Sequence, residues 1–133
     1  MYQLKHFQPS EFLPEGHDDL SVMDERLLET CDDVRDLLGT PCSINTWNFG
    51  GDREWCGFRT PDCTIGAAHS QHRLGKAADL HPVGMDANTA RAKIREAVAA
   101  GQLPHLGGME LGVSWVHVDV RDRVGGKVVE FHA

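Results

Sequence analysis

An imidazole and a carboxylate stand seven residues apart in SQHRLGKAADL, at His72 and Asp79, with Gly75 between them. A second such pair, His117 and Asp119, stands two residues apart in SWVHVDV. Side chains two apart on a strand share a face. Trp115, His117 and Asp119 therefore face one way, while Val116, Val118 and Val120 face the other and mark the core. The same rule puts Ala77, Asp79 and His81 on one face of an earlier strand, Lys76 to His81. If the two strands pair, Asp79 meets His117, and the turn at Gly75 brings in His72. Two histidines and a carboxylate, with a fourth position for water, form the ligand set of a catalytic zinc. Zinc lowers the pKa of water to about 7 and polarises a carbonyl, which is the chemistry of amide hydrolysis. Asp119 then suits an acceptor that orients His117. The same side chains also suit a metal-free buried polar network, and spacing alone leaves both readings open.

The elements that must position these residues can be read from periodicity. Met23, Leu27, Leu28, Cys31, Val34, Leu37 and Leu38 form a helical stripe over Ser21 to Leu38, with Ser21 as cap and Gly39 as stop. A short strand, Cys42 to Trp47, is expected next. A long loop from Asn48 to His69 follows, and loops of that length in small domains are commonly functional. A second helix, Asp86 to Ala100, turns Ala90, Ile94, Ala97 and Val98 inward and ends at Gly101. Beyond Leu106 come the β-like runs GGMEL, SWVHVDV and KVVEF, with Gly125-Gly126 as a hairpin turn. This order predicts an α+β domain with a small antiparallel sheet.

The chain has 133 residues, which fits a single domain over 1–133. A formal charge of -7 argues against a nucleic-acid partner, since phosphate contacts need a basic face. No apolar run approaches 18 residues, and no basic segment followed by an apolar one marks a signal peptide. No membrane partner is expected. Synthesis in the cytoplasm is, with the four cysteines (Cys31, Cys42, Cys56 and Cys63) reduced and mostly buried. None of their spacings is CxxC, and HExxH, GxSxG and a glycine-rich phosphate loop are all missing.

SQHRLGKAAD resembles the SxHxxGxAxD signature of the zinc D-Ala-D-Ala carboxypeptidase and murein endopeptidase family. WVHVDVR resembles that family's second, HxD, signature, in the form found among phage lysins. WCGFR resembles its SGYR segment, with Cys56 where serine is usual, and HFQPSEF resembles its entry segment. The resemblance implies a hedgehog/D-Ala-D-Ala peptidase-like fold, with helices packed on one side of the small antiparallel sheet and the zinc site on the open face. It implies zinc held by His72, Asp79 and His117, and Arg59 binding substrate, where it holds the developing oxyanion or the terminal carboxylate. A guanidinium suits that role because it keeps its charge and offers several donors. Ser70 is expected to brace the loop that presents His72. The implied partner is the stem peptide of peptidoglycan, cut by a monomeric enzyme that reaches the wall by lysis or within a phage particle.

One departure matters. Many relatives place a carboxylate general base three residues before the last histidine, where this chain has Ser114. Glu110 or Asp119 is then expected to take the proton. The same departure admits a non-catalytic zinc-binding domain for cell-wall or protein binding. His81, beside Asp79, is expected to face solvent or be hydrogen-bonded rather than a ligand. His6, His17, His69, His105 and His132 are read as surface or loop residues. Asp52, Arg53 and Glu54 are solvated charges or groove residues, and Trp47, Trp55 and Trp115 pack in the core or rim or stack on substrate.

Overall fold

A computed structural model describes residues 2–67 and 69–133. Ala68, in the segment expected as a loop, lies outside them. The helices are α1, Glu25–Leu38, and α2, Ala87–Ala99. The strands are β1, Cys42–Ser43; β2, Ala77–Pro82; β3, Gly108–Glu110; β4, Val116–Asp119; and β5, Val129–Phe131. They form one sheet in the order β1-β2-β4-β3-β5. Three neighbouring pairs are antiparallel, and β3 with β5 is parallel. The α+β class is as expected, with the sheet mixed rather than wholly antiparallel.

The parallel pair has a local cause. Gly125 and Gly126 both have positive φ, 59° and 74°, and Val124 bridges Lys127 antiparallel across them. The expected tight turn therefore forms, and two positive φ values favour glycine. It does not join β4 to β5 directly, however: the chain returns on the far side of β3, where β5 runs alongside that strand.

Alternation sorts the sheet's two faces. Ala78, Leu80, Val116, Val118 and Val120 join Leu27, Leu28, Cys31, Val34, Ala90 and Ile94 of the helices in one buried cluster. Both helices thus cover the valine face and leave the opposite face for polar groups. Among the described residues no helix is long and apolar enough to cross a membrane.

At two of the expected boundaries that move, side-chain bonds show the cause. The first helix starts after Asp24, whose side chain accepts from the Arg26 amide, and not after Ser21. Ser21 sits in a 3-10 turn, Leu20–Val22, with its amide and hydroxyl both bonded to Asp19. The first strand stops at Ser43 rather than Trp47 because Asn45 is drawn off the sheet. Its amide donates to the Glu11 carbonyl, its Nδ2 to the Leu13 carbonyl, and its Oδ1 accepts from the Cys56 amide. Trp47 then opens another 3-10 turn, Trp47–Phe49, and donates from Nε1 to the Leu13 carbonyl.

Candidate metal centre

β2 and β4 pair with Asp79 opposite His117 and Ala77 opposite Asp119. Cross-strand partners on one face have their Cβ atoms about 5 Å apart, so this register sets the carboxylate against the imidazole. The third group arrives on the 3-10 turn Gln71–Leu74, capped by Ser70, whose hydroxyl accepts from the His72 amide at 3.2 Å. Gly75 ends that turn with φ 68°, and a Cβ there would overlap the Val22 carbonyl. The chain can therefore pass from turn to strand only with glycine at this position.

His72, Asp79 and His117 are buried, at 3%, 5% and 5% exposure. One ligand atom from each lies within 4.8 Å of the others. His72 Nδ1 donates to the Gly57 carbonyl at 2.9 Å, which leaves Nε2 to face Asp79 Oδ1 at 3.3 Å. His117 turns Nδ1 to the same oxygen at 3.0 Å and Nε2 to Asp119 Oδ2 at 2.9 Å. Each ring is thus gripped by one nitrogen and offers the other towards Asp79. Such outer partners fix the ring and raise ligand basicity. The donor set and its closeness fit a divalent metal of the zinc type.

The charges agree. Burial disfavours the ionised form of Asp79, but hydrogen bonds from His117 and His72 outweigh it and hold the carboxyl well below the usual range. Burial likewise disfavours a charged His117, but bonds to Asp119 and Asp79 raise it to about 9. Asp119 is also lowered, because His117 and Arg121 overcome its desolvation. Asp79 and Asp119 together thus favour positive charge between them.

The three residues border a cavity of about 200 Å³. Arg59 lies in it, donating from Nε to the Trp55 carbonyl and placing Nη2 3.6 Å from Asp79 Oδ2. Glu110 lines it from the end of β3. Asp119 is fully buried behind His117. Ser114 is exposed and belongs to a different depression, by the start of α2. Asp52, Arg53 and Glu54 do not line the cavity; Arg53 instead bonds the Ile44 carbonyl and Ser43 Oγ. His81 lies 3.6 Å from Cys56 Sγ, and His6 and His105 pair with Asp36 and Glu29 at the surface.

Among the cavity residues that the sequence reading did not place there are His69, Arg121 and Phe131. Arg121 carried a signal, since it continues the period-two series of His117 and Asp119. Phe131 carried none, because only the parallel placement of β5 brings its ring edge-on to His117, 5.6 Å between centroids.

Comparison with curated proteins and with solved structures returns no match. The family model for Peptidase M15 matches residues 5–119, a span that runs from the entry segment through all three clustered residues to Asp119. The chain belongs to the Peptidase M15 family of metallopeptidases.

Proposed function

We propose that residues 1–133 form a single zinc peptidase domain that hydrolyses amide bonds in the peptide part of bacterial peptidoglycan, as a carboxypeptidase or an endopeptidase. The observation that carries this reading is the double grip on the histidines. Gly57 holds His72 and Asp119 holds His117, so both free nitrogens converge on Asp79 at the floor of an open cavity. A structural polar network has no need of that opening.

His72, Asp79 and His117 would hold the zinc, which when bound would supply Lewis acidity and lower the pKa of water towards neutral. Arg59, beside Asp79, presents its guanidinium to the carbonyl oxygen as charge builds there. Glu110 takes the proton from the attacking water and hands it to the leaving amine. Asp119 is better used as the acceptor that orients His117, because His117 and Arg121 already occupy its oxygens. The alternative, a non-catalytic zinc domain, draws its support from Ser114, which is no base and stands outside the cavity.

Turnover separates the two readings. The zinc-loaded protein is incubated with sacculi and with purified muropeptides, with and without chelator, and products are identified by mass spectrometry. Chelator-sensitive loss of a terminal D-Ala, or opening of a cross-link, is the expected result and names the bond. A protein holding one zinc that releases nothing from several wall types overturns the peptidase reading.

A further inference from the structure

The cavity contains a second guanidinium that the chemistry above leaves unused. Arg121 Nε and Nη2 donate to Asp119 Oδ1 and Oδ2, at 2.8 and 2.7 Å. Its plane lies over Phe131, 4.4 Å from the ring centroid, and 28% of the side chain is exposed. Room for this fork comes from β3: a Cβ at Gly108 would overlap the Asp119 carboxylate and Arg121 Nε. Among the described residues no acceptor engages Nη1. A guanidinium carries five N–H donors, and the fork uses two.

The two arginines stand in different relations to the cluster. Arg59 touches Asp79 itself, at 3.6 Å. Arg121 is linked to the cluster through Asp119 and His117 and lines the same cavity. The fork to Asp119 and the contact with Phe131 restrain the guanidinium, and a restrained planar edge suits a carboxylate better than a mobile ammonium would.

We propose that Arg121 is a specificity-determining residue whose free edge binds a substrate carboxylate flanking the scissile amide. This rests on the peptidase reading and divides the work: Arg59 serves the scissile carbonyl, and Arg121 selects the anionic neighbour. The ligand is a peptide with a free carboxylate near the bond to be cut. Two sources supply that chemistry: the C-terminal carboxylate of the departing residue, or the α-carboxylate left free by an internal γ-linked glutamate. Charge-assisted bonds of this kind are the strong ones.

The test pairs stem peptides that differ at one carboxylate, free acid against carboxamide, with one pair altered at the C-terminus and the other at the internal glutamate. Binding to the zinc-loaded protein is measured by titration calorimetry, and kcat and KM where the peptide is cut. For the wild type, one acid is expected to bind about 10- to 100-fold tighter than its amide. The responsive pair identifies the carboxylate. Arg121→Met should erase that preference by weakening the acid alone, with zinc content unchanged. Arg121→Lys, which keeps Asp119 paired to a cation, carries the same test should the methionine variant fail to fold. Equal binding of acid and amide by the wild type overturns the proposal, as does a variant that weakens both alike. Acid-selective binding without cleavage of any wall fragment would instead retain Arg121 and overturn the peptidase reading.

Discussion

His117 Nε2 lies 2.9 Å from Asp119 Oδ2, and the two residues sit two apart on one strand. The strand's own period therefore fixes the ring that offers Nδ1 to the cluster. Removing a partner of this kind typically weakens metal binding about 10- to 100-fold. Asp119→Asn should show that loss in a competition titration against a chromophoric chelator. Unchanged affinity would mean that His117 is held by other contacts.

Metal should stabilise the fold through the same three residues. A ligand at a hundred times its Kd adds about 2.7 kcal/mol to a native state that alone binds it. Zinc should raise the melting temperature by several degrees, and chelator should reverse the rise. His72→Ala should abolish the response while leaving a cooperative transition.

Acidity should oppose metal binding, and the sign follows from His117. With its pKa raised to about 9, the metal-free ring holds a proton at neutral pH that the metal must displace from Nδ1. Apparent affinity should rise about tenfold per pH unit below 9 for each proton displaced, and level off above it. Calorimetry in buffers of different ionisation enthalpy should detect at least one proton released at pH 7. In the metal-free protein the same raised pKa stabilises the fold fully below the ordinary histidine range, and the contribution fades as pH climbs through about 9.

Glu110→Gln keeps the shape of the cavity wall and removes a base. General acid–base catalysis is worth about 10²- to 10⁴-fold, so kcat on a cleaved muropeptide should fall by that order with one zinc still bound. Full turnover would remove Glu110 from the mechanism.

Gly57 holds His72 from behind and has no space for a side chain: a Cβ would overlap the Phe12 carbonyl. Gly57→Ala should cost about 1–3 kcal/mol, as overpacking does, and lower zinc affinity as well. A variant that melts earlier but binds zinc normally would uncouple the Gly57 carbonyl from the site.

Much of this centre could be read along the chain. Period two placed His117 with Asp119 and separated both from Val116 and Val118. The turn at Gly75 announced how His72 would be presented. These signals are local, because they depend on neighbours a few residues away. The first strand was misjudged because Asn45, in a run of strand formers, spends its side chain on Leu13 and Cys56, contacts 32 and 11 residues distant. Ser114 raised the right question about the base, but only its place by the start of α2 shows that it stands outside the cavity.

By itself the sequence determined the donor types, their faces and the turn that delivers them, since backbone geometry ties side-chain direction to residue spacing. The tertiary structure decided what surrounds them. Asp79 and His117, 38 residues apart, meet through strand register. Phe131 reaches the cavity because β5 lies parallel to β3, and Arg121 keeps its fork because Gly108 on the neighbouring strand is bare. Contacts across such separations depend on how whole elements pack, and no local period encodes that.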